Sequence, residues 1–168
     1  ESFHFREEVK FSLLDCQLMA IQGPKSSIIL EKVFKQQNLS DKPNDILKLP
    51  LGKHQVNLII KSLTGEEGQI LCFPNELEDE LTQLILKSDP PPIRVHEVAR
   101  EVLRIEAGIP IYNKDMDKKN ILPETGLEHT SVSYNKGCYI GQEVIARIKT
   151  YGAPALVHFF ATGSFPFL

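Results

Sequence analysis

Val56-Asn57-Leu58-Ile59-Ile60-Lys61-Ser62-Leu63-Thr64-Gly65-Glu66-Glu67-Gly68-Gln69-Ile70-Leu71-Cys72-Phe73 contains two apolar runs around a short, glycine-bearing acidic loop. Val56 to Leu63 and Gln69 to Phe73 are therefore predicted to pair as a β-hairpin through Thr64 to Gly68. Upstream, Val9 to Gln22 carries the run Leu18-Met19-Ala20-Ile21, stopped by Gly23-Pro24. A short apolar run between breakers reads as a buried strand. Pro24 suits a first helical position, and Ile29, Leu30, Val33 and Phe34 recur at helical spacing before the polar loop Gln36 to Asp45. Downstream of the hairpin, Asn75 with Glu78 three residues on has the pattern of a capping box. It leads a helix with Leu77, Leu81, Leu84 and Ile85 on one face. Strand, helix, strand, strand, helix is the order of a ferredoxin-like split β-α-β half, an α+β fold with helices on one face of an antiparallel sheet.

Asp89-Pro90-Pro91-Pro92 cannot continue a helix or a central strand. It marks a stiff linker and divides the chain into a 1–89 subdomain and a 90–168 segment. In the second, Val95, Val98, Ala99, Val102 and Leu103 form an apolar stripe opposite Arg100, Glu101 and Arg104. Four residues beyond Val102 the stripe ends in Glu106, one position before Ala107-Gly108, the expected helix stop. A carboxylate there is opposed by the helix dipole, and on a buried side it requires donors. Either it pairs with the N–H groups of a ligand, or it frays into solvent or pairs with an arginine. Asn113 to Asn120 is polar and reads as a loop, and Ser131-Val132-Ser133-Tyr134 alternates like a short strand.

That strand leads into Lys136-Gly137-Cys138-Tyr139-Ile140-Gly141-Gln142-Glu143-Val144-Ile145-Ala146-Arg147. Gly137 and Gly141 bracket the cysteine, and Gln142 to Thr150 carries no helix breaker, so the thiol is expected on a loop before a helix. A thiol near a helix N-terminus and beside Lys136 meets two influences that favour the thiolate. The opposite reading makes Cys138 a small buried hydrophobe under the helix. Tyr139 and Tyr151 read as packing residues, and Arg147 sits four residues after Glu143 at ion-pair spacing.

The contiguous stretch Lys136 to Glu143, followed by Ala146-Arg147, resembles the signature of the YgfZ branch of folate-binding, aminomethyltransferase-like proteins. Leu103-Arg104-Ile105-Glu106-Ala107-Gly108-Ile109-Pro110 is similar to the segment that the wider GcvT-type family uses around its pterin. Leu122-Pro123-Glu124-Thr125-Gly126-Leu127-Glu128 resembles the turn that follows, and Ala20-Ile21-Gln22-Gly23-Pro24 agrees in pattern only. The resemblance implies the folate-binding fold of the aminomethyltransferases. It also implies tetrahydrofolate as cofactor, held by Glu106, Arg104, Lys136, Gln142 and Arg147. Cys138 would be the reactive thiol and one ligand of an iron-sulfur cluster shared with a partner, an assembly or carrier protein. Through such clusters the protein would support tRNA-thiolation enzymes. The alternative is a tetrahydrofolate-dependent aminomethyltransferase. The resemblance further implies that a segment ahead of Glu1 and a C-terminal β-barrel from about Phe160 belong to the complete protein.

Composition fits these expectations without choosing between them. Of 168 residues, 42% are hydrophobic and 24% charged, enough to bury a core. A formal net charge of -3 supplies no global basic surface, so direct nucleic-acid binding is not expected. Cys16, Cys72 and Cys138 are widely spaced and form no C-x-x-C pair, which argues against a disulfide framework or a self-contained zinc site. The five histidines are scattered singly. No signal peptide or membrane span is read, and the expected location is the cytoplasm, or the mitochondrial matrix in a eukaryote.

Overall fold

The alternation in the hairpin's first run becomes a strand whose Val56, Leu58 and Ile60 are all buried, while their neighbours are half-buried or exposed. The structure is a computed structural model and describes residues 10 and 12–151. It divides into two units. The first holds the described residues up to Ser62 together with Glu66–Arg94, and the second holds Leu63–Gly65 and the described residues from Val95 on.

The first unit is built on four antiparallel strands: β1 (Gln17–Gln22), β2 (Ile46–Leu51), β3 (His54–Ile60) and β4 (Gly68–Phe73), in the spatial order β1-β4-β3-β2. The helices α1 (Ser26–Phe34) and α2 (Glu78–Leu86) belong to the same unit, with a 3-10 turn over Asn75–Leu77 ahead of α2. Ile29, Leu30 and Phe34 from α1 and Leu81 and Ile85 from α2 join Leu49, Val56, Leu58, Leu71 and Phe73 from the sheet in one buried cluster. This is a mixed α/β unit with its core between one face of the sheet and two helices. The interval between β1 and α1 is set by Gly23, whose φ of 116° would strain any side-chain-bearing residue and whose N–H donates to Glu67 O at 2.6 Å.

Several expectations change. The run Leu18 to Ile21 is an edge strand: only Ile21 is buried, Met19 packs partly against the core, and Leu18 is exposed. An edge strand with one covered face needs only alternate apolar residues, which a continuous apolar run conceals. Ile46–Leu51 adds a strand that its sequence does not announce. Its Pro50 lacks a ladder donor, which is tolerated because β2 is the opposite edge of the sheet. With β2 added, α1 crosses between the two edges, so the sheet is richer than the expected half. Among the described residues no strand returns to the sheet after α2. The capping box does not form. Asn75 instead donates its side-chain amide to Asp15 Oδ1 at 2.8 Å, and a 3-10 turn fills the start of the helix. The proline linker is tied back to α1, since Lys32 donates to the Asp89 carbonyl oxygen. The unit boundary falls after Arg94, five residues later than expected, and the tip of the hairpin loop goes with the second unit.

The second unit contains α3 (Glu97–Glu106), a 3-10 turn over Leu122–Thr125, the short helix α4 (Glu128–Ser131) and α5 (Gln142–Tyr151). Ser131–Tyr134 is not a strand. Ser131 closes α4, and Val132 is extended without a pairing partner. Asn113 to Asn120 is turn and bend, pinned by a bridge between Tyr112 and Met116. Gly65 explains why the hairpin tip belongs here: a Cβ at this position would lie 2.8 Å from the Ala107 Cβ, just past the end of α3. No helix among the described residues is long and apolar enough to cross a membrane. The C-terminal barrel expected from about Phe160 lies outside the described residues, as does the segment expected ahead of Glu1.

Candidate functional site

The polar side of α3 organises the second unit. His96 opens the helix, its Nδ1 accepting from the Val98 N–H at 3.3 Å. In the last turn of the helix, Arg104 is 1% exposed and directs its guanidinium to internal partners. Nη1 donates to Ile109 O at 3.0 Å and to Asp115 Oδ2 at 2.6 Å, and Nη2 donates to Glu101 and, at 3.3 Å, to Asp115 Oδ1. Asp115 Oδ2 also accepts from the Ile111 N–H at 2.7 Å, so one carboxylate ties the loop after α3 to the helix. Lys114 Nζ closes the cluster 2.7 Å from Glu101 Oε1. Hydrogen bonds from Arg104 and then Lys114 hold the Glu101 carboxyl down to about 2. Arg104 Nε has no hydrogen-bond partner among the described residues.

Arg104 is expected to hold a bound cofactor. In this structure its side chain is buried against two carboxylates and a carbonyl, and it ties the loop after α3 to the helix. The expected geometry of Glu106 also changes. Val95, Val98, Val102, Leu103 and Ile105 are all exposed, while the Arg104 side of the helix is the covered one. The stripe that ends in Glu106 therefore faces outward, and Glu106 is itself exposed. Its carboxylate is accessible, with no burial cost to be met by donors. Asp115 and Lys114 lie in the polar stretch that the sequence marks only as a loop. The available signal was a pair of opposite charges six and seven residues past Gly108, in a loop otherwise read as polar.

Beyond α3, Glu124 accepts from the Ile121 N–H at 3.1 Å and fixes the Pro123 turn. The Tyr134 hydroxyl donates to Glu128, and that bond pushes the phenol up to about 12. The glycine-bracketed loop follows. Cys138 is exposed, four residues ahead of the first helical residue of α5. Gly141 takes a φ of 85°, which lets the chain turn into the helix. Gln142 Oε1 accepts from the Tyr139 N–H at 3.3 Å and Lys136 Nζ stands 4.7 Å from the centre of the Tyr139 ring, so three residues of the motif hold one another. Lys136 is thus placed on the aromatic face. Arg147 pairs with Glu143 at 2.5 Å, as the spacing predicts, with both side chains largely exposed.

Lys136, Gln142 and Tyr139 are brought together, and Arg147 lies further along the same helix. Among the described residues, no hydrogen bond or ion pair joins this loop to Arg104 or Glu106. Chemically, the unit offers an accessible carboxylate at Glu106, an accessible thiol at Cys138 and an accessible cation at Arg147. No group of three or more metal-binding side chains occurs among the described residues.

Residues 5–136 match the family model of the GCVT N-terminal domain. The chain belongs to this family. It is 34% identical over 158 residues to the chloroplastic "Putative transferase" of Arabidopsis thaliana, covering 89% of this chain and 34% of the relative. It is 30% identical to the aminomethyltransferase of Chlorobium phaeovibrioides, covering 79% and 37%, and 30% identical to that of a Synechocystis strain, covering 89% and 40%. The chain thus spans less than half the length of each of these relatives. The GCVT N-terminal domain is the aminomethyltransferase-like, folate-binding family, and a mixed α/β unit with a four-stranded antiparallel sheet is consistent with it.

Proposed function

We propose that this chain supplies the tetrahydrofolate-binding part of an aminomethyltransferase-like protein of the YgfZ branch, with Cys138 presented to an iron-sulfur cluster carried by a partner. The observation that carries this reading is the exposure of Cys138. A packing cysteine under α5 would be covered, whereas this thiol stands on a loop whose neighbouring lysine is occupied with Tyr139. One thiolate suits a shared ligand position, because a cluster requires several. The cluster is cargo in this reading, and loss of its delivery would reach tRNA-thiolation enzymes indirectly. The setting is the cytoplasm or an organelle interior.

Reduced folate carries one-carbon units when bound. Toward it, Glu106 offers a carboxylate that accepts from pterin N–H donors, and Lys136, Gln142 and Arg147 lie on the loop and helix that carry the thiol. Arg104 acts one step removed, by fixing the Ile109–Asp115 loop beside Glu106. The names of the Chlorobium and Synechocystis relatives favour a second reading, transfer of an aminomethyl carbon to tetrahydrofolate.

The test uses the complete natural protein. Glu106→Gln replaces an acceptor oxygen with a donor facing donors, and should weaken tetrahydrofolate binding at least about tenfold, or 1.4 kcal/mol. Cys138→Ser should retain folate affinity and lose the ability to sustain iron-sulfur enzymes in cells, because serine is a poor soft-metal ligand. Full support of those enzymes by the serine variant would remove the cluster role. Aminomethyl transfer from a lipoyl carrier by the purified protein would establish the second reading.

A further inference from the structure

Two cysteines that are 56 positions apart in the chain meet at the edge of the sheet. Cys72 sits in β4 and Cys16 immediately precedes β1, and their Sγ atoms are 3.2 Å apart, with Cys72 as donor. The strand register explains the meeting. Leu18 is opposite Cys72, and Cys16 lies two residues before Leu18, on the same face of the sheet by the alternation of strand side chains. Both thiols are free and neither is fully buried. A disulfide requires a sulfur separation of about 2.05 Å, so roughly an ångström of approach completes one. Residues 12–16 are outside any regular element, which leaves Cys16 room to supply that movement.

We propose that Cys16 and Cys72 are a reversible disulfide site, oxidised by a low-molecular-weight disulfide of the oxidised-glutathione type and reduced again by dithiols. Cys16 is the attacking sulfur, since it accepts the hydrogen bond, while Cys72 is the resolving thiol. The hydrogen bond to Cys16 and partial burial raise the Cys72 thiol above its ordinary range and keep it protonated until the second step. In the first step the Cys16 thiolate bonds to one sulfur of oxidised glutathione, breaks its S–S bond and expels one glutathione thiolate. In the second, Cys72 gives its proton to solvent, bonds to Cys16 Sγ and expels the second glutathione thiolate. Two protein thiols are oxidised to one disulfide, and one glutathione disulfide is reduced to two glutathiones. The product fastens the lead-in to edge strand β1 onto β4, next to the Asn75–Asp15 hydrogen bond. Cys138, on the other unit, has no part in it.

The experiment incubates the reduced protein with oxidised glutathione, quenches with an alkylating agent and maps the cysteines by peptide mass spectrometry. The expected result is a Cys16–Cys72 link in one chain, with Cys138 outside it, that is lost on adding dithiothreitol. Closure should be at least about tenfold faster in the folded protein than in urea, because the fold supplies the effective concentration. Cys72→Ser should stop at a glutathione adduct on Cys16, whereas Cys16→Ser, whose position is outside the strands, should leave Cys72 largely unmodified. Cys16 and Cys72 still alkylating under oxidised glutathione as they do in reducing buffer would overturn the proposal. Equal closure rates in urea, or adducts forming equally on Cys72 in the Cys16→Ser protein, would do the same.

Discussion

Replacing Arg104 with methionine separates two roles that the sequence could not. Methionine preserves much of the stem's volume and removes every polar contact of the guanidinium: the bonds to Ile109 O, Glu101 and both oxygens of Asp115. Breaking a buried ion pair by removing one partner costs about 3–5 kcal/mol when the remaining charge is fully enclosed. Here Asp115 and Glu101 keep 19% side-chain exposure, and Glu101 retains Lys114. Water and the lysine recover part of the loss, so about 2–4 kcal/mol is expected, or a thirty- to thousandfold shift at about 1.4 kcal/mol per decade. The loss should be local. Protection of the Ile111 amide, which donates to Asp115, should fall by that factor in hydrogen exchange, while amides in β3 and β4 keep theirs. Folate affinity measured where the variant is folded should change much less than it does for Glu106→Gln. If Arg104→Met keeps full Ile111 protection but loses folate binding, Arg104 is a ligand contact after all and the structural role assigned to it is wrong.

Two further outcomes test the separate units. Leu71→Ala empties a fully buried position at the centre of β4 and should destabilise the first unit by about 2–5 kcal/mol in urea unfolding, with little effect on Ile111 protection; a loss under about 1 kcal/mol would mean the core is looser than described. Glu101 has a carboxyl held below its ordinary 4.5, at about 2, so its contribution is fully present above 4.5 and is lost as pH falls through about 2. Acid unfolding of the natural protein should therefore show a loss of stability between those values that is smaller in Glu101→Gln, and the Glu101 side-chain carboxyl should titrate near 2 by carbon-13 NMR; titration of that carboxyl at its ordinary value would remove Glu101 from the cluster.

The legible part of the fold was the part in which periodicity and burial agree. In β3, strict alternation matched one buried face, and in α1 and α2 the expected Ile29, Leu30, Phe34, Leu81 and Ile85 are buried in the core, whereas Leu84, expected on the same face, is exposed. Legibility failed at edges. β2 carries Pro50, which counts against an interior strand and is harmless on an outer one, and β1 combines apolar residues with exposure on its outward face. The capping box failed through competition: an asparagine side chain has one geometry at a time, and Asp15, which is 60 positions away in the chain, claimed its amide. The cysteine pair was hidden for the same reason, since spacing along the chain says nothing about two strands brought side by side.

At the candidate site, the lesson is in α3. Its sequence divides cleanly into an apolar and a charged side, and the usual rule buries the apolar one. The structure covers the charged side instead, because four acceptors converge on Arg104: two Asp115 oxygens, the Glu101 carboxylate and the Ile109 carbonyl. Once the guanidinium is committed there, the helix is rotated so that Val98, Val102 and Glu106 share the open side. The strain that the sequence attributed to a buried Glu106 carboxylate is therefore absent. Glu106 is exposed, and the loop that follows its helix is tied back by Asp115, an acid that lies in the polar stretch Asn113 to Asn120. Stability of the loop and accessibility of the carboxylate are thus separate properties, carried by residues two positions apart on one helix and pointing to opposite sides of it.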